Sequence, residues 1–219
     1  RETEEFGLVP NVWKVTKLVE VVPRADYGIS SSLGYGRETP VLRMGNLKNG
    51  EVILDDVKGS NAEKALERLL KPMDVLFNRT NSAEHVGRTA IWRGQQEPMS
   101  FASYLVRLVP DPESLDPEYL NLWLNWPRTQ QRIRQFATPG VSQVNINPTN
   151  LRKTLIALPE TVEEQRRIVA VINRHRAQTD SERTYRDKLQ TLKTGLMQDL
   201  LTGRVRVPEA EERVQEITR

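Results

Sequence analysis

The chain contains no cysteine and only two histidines, His85 and His175. Disulfide frameworks, thiolate nucleophiles and cysteine-ligated zinc are therefore excluded, and a reducing, cytoplasmic setting is expected. Long hydrophobic runs are missing as well. No stretch approaches the roughly 18 apolar residues of a membrane span, and the opening Arg1 to Phe6 is charged where a signal peptide would carry an apolar core. Aromatic residues are scarce at 6%, and hydrophobic residues reach 37% against 28% charged. In 219 residues that shortage predicts one ordinary core plus a solvated, charge-rich appendage. Neither sign of charge dominates: the net is +3, which permits nucleic-acid binding without the basicity of a nonspecific DNA coat. Specific readout rests on a few placed groups, so the positions of basic and amide side chains matter more than their number.

Catalytic signatures are lacking too. No Ser-His-acid constellation or metal-ligand spacing assembles around two histidines, and a structural role is expected for both. Asn147-Pro148-Thr149-Asn150 has the outline of the Asn-Pro-Pro-aromatic loop of amino-methyltransferases but no aromatic to stack on an extruded base. Gly34-Tyr35-Gly36 runs into Arg37 and Glu38, not into the glycine-completed turn that opens a nucleotide-binding helix. Both read as loops, and the chain is expected to be non-catalytic.

What is present alternates between short strands and helices. Leu8 to Leu18 reads as an opening strand or turn, and Gly28 to Gly36, with Tyr27 and Tyr35 interleaved, as a surface loop. Pro40 to Leu47 and Glu51 to Leu54 flank Lys48-Asn49-Gly50, a hairpin signal. A helix is predicted over Asn61 to Leu70, then strands over Asp74 to Thr80, Arg88 to Arg93 and Phe101 to Val109. Asp116 and Pro117 open a helix predicted to run to Phe136, and a polar stretch over Thr138 to Asn150 precedes a strand at Leu151 to Leu158. The expected fold is α/β of the α+β kind, a mostly antiparallel sheet with packed helices over residues 1–160.

Beyond Pro159-Glu160, Thr161-Val162-Glu163-Glu164 has the form of a capping box, and no Pro or Gly follows until Gly195. One long coiled-coil-type helix over residues 161–203 is predicted, on the order of 60 Å from its rise per residue, followed by a charged tail at 204–219. Ile168, Val171, Ile172, Leu189, Leu192, Leu196 and Leu200 lie to one side of it, interrupted by a polar middle from His175 to Glu182. A lone helix with such a stripe needs a partner.

Two polar segments draw attention. Leu76-Phe77-Asn78-Arg79-Thr80-Asn81-Ser82, leading to Gly87-Arg88-Thr89-Ala90, is a strand running out into amides, hydroxyls and arginines. Asn suits adenine, Arg suits guanine, and the hydroxyls suit phosphates. The same residue types also make Asx and Ser/Thr turns, and spacing does not choose between the two. Ser142-Gln143-Val144-Asn145-Ile146-Asn147 alternates polar with apolar residues, as a ligand-facing edge or an ordinary half-buried strand would.

Taken together and in order, the chain resembles the specificity subunit of type I restriction-modification systems. The resemblance is carried by Pro10-Asn11-Val12-Trp13, Pro40 to Leu47, Lys71 to Ser82, Ser103 to Leu108, Asn145-Ile146-Asn147, Leu158-Pro159, Glu164-Gln165-Arg166-Arg167-Ile168-Val169, and Leu192 to Arg206. It implies a target-recognition domain reading one half of a split duplex DNA sequence, and a helix acting as a ruler that docks methyltransferase subunits. It implies that S-adenosylmethionine and ATP sit on partner subunits, restriction or translocase subunits among them, and that this chain binds no cofactor. The usual member carries two recognition domains and two such helices; this half-length chain has one of each. It is therefore expected to be a fragment, or a short form that pairs with a copy of itself. Candidate DNA contacts are Arg43, Asn46, Asn78, Arg79, Asn81, Ser82, Arg88, Gln143 and Asn145. Candidate helix-interface residues are Ile168, Ile172, Leu189, Leu192, Leu196 and Leu200. A helical scaffold or adaptor without sequence-specific DNA binding is the alternative reading.

Overall fold

Proline, glycine and side-chain caps decide where the elements of this chain stop. The computed structural model describes residues 2–3, 6–141 and 143–208. Its helices are α1 Leu18–Val21, α2 Glu63–Glu67, α3 Pro117–Asn125, α4 Pro127–Arg134, α5 Pro148–Leu151 and α6 Val162–Leu201. Asp116 caps α3 as expected, its carboxylate accepting the N–H groups of Glu118 and Tyr119. The helix predicted to continue to Phe136 breaks instead at Trp126. Pro127 lacks an N–H and holds the preceding residue at an extended ψ of 132°. The helix predicted over Asn61 to Leu70 is the single turn of α2.

The Asn-Gly hairpin forms between Leu47–Lys48 and Gly50–Val52, pairing Lys48 with Glu51. Asn49 and Gly50 both take positive φ, 52° and 86°, as a two-residue type I′ turn requires. Its first arm does not reach back to Pro40. A 3₁₀ turn at Met44–Asn46 intervenes, and Thr39–Leu42 joins another sheet between Lys58–Ser60 and Ser100–Phe101. The strand predicted over Phe101 to Val109 is likewise divided, because the chain turns at Ser103-Tyr104 before Leu105–Val109.

The main sheet has six strands in the order Arg24–Tyr27, Leu105–Val109, Val75–Asn78, Thr89–Ile91, Gly50–Val52 and Leu47–Lys48. Neighbours run antiparallel except Thr89–Ile91 with Gly50–Val52. Both faces are covered. Val75 and Phe77 pack with Tyr119, Leu120 and Leu124 of α3, whereas Leu76 packs with Trp92, Phe101 and Leu105 on the other side, the two-residue alternation of a strand buried on both faces. Arg107 crosses this region, donating to Asp26 at 2.9 Å and Asp74 at 3.1 Å.

A smaller sheet aligns Thr80–Asn81, Val144–Ile146 and Ala137–Pro139, and Lys14–Lys17 pairs with Leu155–Leu158. Residues through Val169 form one compact unit, and residues from Ala170 form a second. The continuous α6, 40 residues long, begins in the first. Thr161 Oγ1 accepts the Glu164 N–H at 3.2 Å, as the capping signal predicted. At the other end Gly203, with φ of 68°, lets the Arg204 N–H return to the Asp199 carbonyl at 2.9 Å and stop the helix. Of the charged tail, residues 209–219 lie outside the described residues. Among the described residues no helix is long and apolar enough to cross a membrane.

Candidate nucleic-acid interface

Turns at one end of the main sheet build the site. Where Val75–Asn78 ends and Leu105–Val109 begins, Arg79 and the Ser103-Tyr104 turn meet: the Arg79 N–H donates to the Tyr104 carbonyl at 3.0 Å. Beside this turn lies a cleft of about 720 Å³, lined by residues that include Ser30, Ser31, Arg43, Asp55, Asp56, Asn81, His85, Arg88, Ser103 and Tyr104. The Gly28 to Gly36 loop therefore contributes Ser30 and Ser31 to one wall, and the Asn81 to Arg88 segment forms another.

Eight of the nine sequence-predicted contacts fall into three groups. Arg43, Asn46, Asn81 and Arg88 line the cleft. Arg79 and Asn145 are paired beside it: Arg79 Nη2 donates to Asn145 Oδ1 at 3.2 Å, Asn145 Nδ2 donates to Thr80 Oγ1 at 2.9 Å, and the guanidinium lies 5.2 Å from the Tyr27 ring centre. Ser82 is exposed and Gln143 half-buried on the neighbouring segments.

Asn78 is a correction, and Asn46 is held mostly inside the fold. Asn46 is 3% exposed and Asn78 is 0% exposed. The Asn46 amide donates to the carbonyls of Ile53 and Asp55 and accepts the Arg43 N–H at 2.8 Å, closing the 3₁₀ turn. Asn78 Nδ2 donates to the His85 carbonyl at 3.3 Å inside the sheet. Asn46 lines the cleft with its amide already engaged by these backbone groups, whereas Asn78 does not line it. The Asn81 side chain accepts the N–H of the next residue, Ser82, at 2.8 Å and also lines the cleft.

Residue-type reasoning overlooked Tyr104, His85, Asp55 and Asp56. Tyr104 had been placed inside a continuous strand, and only the turn at Ser103 exposes it. Asp55 and Asp56 follow the hairpin and carried no signal of their own. Asp56 accepts from the Tyr35 hydroxyl and from Arg43, and these two bonds hold its carboxyl below the usual range. The same contact pushes the Tyr35 phenol up.

A second cleft, about 640 Å³, opens among Val12, Lys14, Pro112 to Ser114 and Leu158 to Glu163. Its Glu113, Glu160 and Glu163 carboxylates make it a poor surface for DNA. Among the described residues no group of His, Asp or Glu is disposed to hold a metal.

With this geometry in view, comparison with known proteins is decisive. The family model described as type I restriction modification DNA specificity domain matches residues 10–191. The chain belongs to that family. A sequence assigned as the MjaX type I restriction enzyme specificity subunit of Methanocaldococcus jannaschii is 26% identical over 209 residues, which is 90% of this chain and 47% of that protein. A chain solved in work on complex assembly and conformational transition of a type I R-M system superposes with a TM-score of 0.64 at 20% identity, covering 86% of this chain and 44% of its own length. The HsdS subunit of Thermoanaerobacter tengcongensis superposes at 0.54 with 21% identity, over 84% and 42% of the two chains. These structural likenesses establish the fold, mixed α/β with a long C-terminal helix. The specificity-domain chain spans less than half the length of the relatives it matches.

The motifs that carried the resemblance have visible work within the first unit. Trp13 Nε1 donates to Glu164 at 3.1 Å. Gln165, 1% exposed, accepts the Asp116 N–H at 2.8 Å and donates to the Ser114 carbonyl at 2.9 Å. Arg166 pairs with Asp116 at 3.4 Å, and Ile168 and Val169 join the main core. Ile168, predicted as a helix-interface residue, is thus used by the domain itself. In the second unit, Ile172, Leu189 and Leu200 are exposed and Leu192 and Leu196 half-buried. Leu189, Leu192 and Leu196 follow three-four spacing, which continues backwards through Tyr185, Glu182, Gln178, His175 and Val171. Ile172 and Leu200 flank that seam.

Proposed function

We propose that this chain is the DNA-recognition part of a type I restriction-modification complex, reading one half of a bipartite duplex target through the cleft and docking methyltransferase subunits through α6. One observation carries the reading: Arg43, Asn81 and Arg88 gather with Tyr104 around one concave surface of a chain that belongs to a DNA specificity family. Donors, acceptors, an aromatic and a cation at the rim are the groups that base edges and phosphates require. In this reading the chain is non-catalytic. Methylation and cleavage belong to partner subunits, which hold S-adenosylmethionine and ATP, with restriction or translocase subunits joining the assembly. The test is to co-express the chain with its methyltransferase subunit and map the methylated bases. A split target, one half of which changes when cleft residues are substituted, is expected. A methylation pattern indifferent to those substitutions overturns the reading, and absence of DNA affinity even at low salt favours a scaffold.

The seam on α6 supports pairing with a second such helix, and the arrangement proposed is a symmetric pair of this chain. Two identical domains related by a two-fold axis then face an inverted-repeat target with a fixed gap. Light scattering is expected to give a dimer at micromolar concentration. A strict monomer there overturns self-pairing.

A further inference from the structure

Two arginines in the cleft stand in opposite electrostatic situations. Arg43 is paired: its Nη2 donates to the Asp56 carboxylate at 2.7 Å and also to the Asp56 carbonyl. Asp56 in turn accepts the Tyr35 hydroxyl, and Lys58 Nζ lies 4.9 Å from the centre of the Tyr35 ring. Arg43 Nε is enclosed without an acceptor, so Nη1 is the part of the guanidinium that remains to be used. The side chain as a whole is 31% exposed. Arg88, in the same cleft, makes no ion pair or side-chain hydrogen bond among the described residues.

A phosphate is held chiefly by net positive charge. An arginine already neutralised by one carboxylate, with Asp55 lining the same wall, offers a phosphate little and surrounds it with repulsion. What the pair keeps is directional N–H donors at a fixed place. Those suit the uncharged acceptors of a base edge, the N7 and O6 of guanine above all. Pinning the guanidinium beforehand also removes rotamer freedom that would otherwise be lost on binding.

We propose that Arg43 reads a guanine in the target half-site, that Asp56 backed by Tyr35 is the positioning residue that aims it, and that Arg88 supplies phosphate charge. This assignment rests on the DNA-recognition reading above. Selection from randomised duplexes by the full chain, alone and with the methyltransferase subunit, tests it at several salt concentrations. The unaltered chain is expected to enrich guanine at one position. Arg43→Ala loses that preference about tenfold or more, with the salt dependence of residual binding kept. Asp56→Asn loses part of the preference at the same position and steepens the salt dependence, because the arginine charge is unmasked. Arg88→Ala weakens all sequences alike and lowers the salt slope by about one. If Arg43→Ala instead weakens all sequences equally and lowers the slope, Arg43 is a phosphate contact and the proposal falls while DNA recognition stands. Enrichment in which no guanine responds to Arg43 overturns it equally. Failure of the unaltered chain to enrich any sequence, alone or with the methyltransferase subunit, overturns the DNA-recognition reading and this assignment with it.

Discussion

The first two turns of α6 and the remainder of that helix are one continuous element with opposite sources of order. In the first two turns nearly every side chain is spoken for. Gln165 satisfies two backbone groups, Glu164 accepts from Trp13, Arg166 pairs with Asp116, and Val169 is buried. From Ala170 onward the helix shows local contacts such as the Arg183–Asp180 pair at 3.3 Å, worth only a few tenths of a kcal/mol, and the Thr184 hydroxyl donating to the Asp180 carbonyl at 2.9 Å, which adds no net stability to a helix. Helices held by such local terms alone are marginal in water. A capping box and an absence of internal proline suffice to write a long helix, whereas its apolar seam, not its local contacts, is where the proposed partner would add rigidity.

The comparison can be broken from either side, and the largest effect is expected at the seam. Leu192→Asp combined with Leu196→Asp removes two apolar anchors, about 3 kcal/mol or more of association free energy. Methylation by the co-expressed complex and dimer formation by light scattering are expected to disappear while the chemical unfolding midpoint of the domain stays unchanged. A dimer that survives places the seam elsewhere. The next effect belongs to the anchored turns. Gln165→Leu leaves the Asp116 N–H and the Ser114 carbonyl buried without partners and costs about 2 kcal/mol of domain stability, read as a lower urea midpoint at constant slope. An unchanged midpoint means that water replaces the amide. A smaller loss, about 1 kcal/mol, is expected for Trp13→Phe, which keeps an aromatic ring of smaller size but deletes the donor to Glu164. The smallest effect has the opposite sign. Gly195 sits mid-helix with open space where a Cβ would stand, so Gly195→Ala raises helix stability by up to about 1 kcal/mol. Helicity measured by circular dichroism on heating checks it, and a loss of assembly with gained helicity would show that a partner backbone approaches there.

What the sequence made legible was local chemistry. Asn49-Gly50 specifies its turn because two successive positive φ angles suit those residues and few others. Asp116-Pro117 and Thr161 to Glu164 specify helix starts because the cap and the first turn lie within four residues of one another. The misjudged elements failed for reasons that are also physical. Pro127 breaks a stretch whose amphipathic periodicity continues across it, so the pattern alone does not show the break. The strand predicted from Phe101 to Val109 was divided because Phe101 and Leu105 serve different sheets, and an apolar run does not reveal which neighbours its residues will find. The site was partly legible. The cleft gathers Arg43, Asn81 and Arg88, whose residue types had singled them out. Asn78 had the same credentials but was consumed by the fold, and the Asn46 amide is largely engaged there too, because a buried strand end and a tight turn need amides as much as a base edge does.

By itself, then, the sequence determined the helix caps, the hairpin turn, the absence of thiol chemistry, and the ordered motifs that carry the family. Each of these depends on neighbours a few residues away or on residue identity alone. Tertiary structure decided which polar side chains face the cleft and which satisfy buried backbone, and it joined Tyr35, Arg43 and Asp56 from three separate segments into one hydrogen-bonded group. Burial and pairing are properties of groups brought together from distant parts of the chain, and no spacing along the chain encodes them.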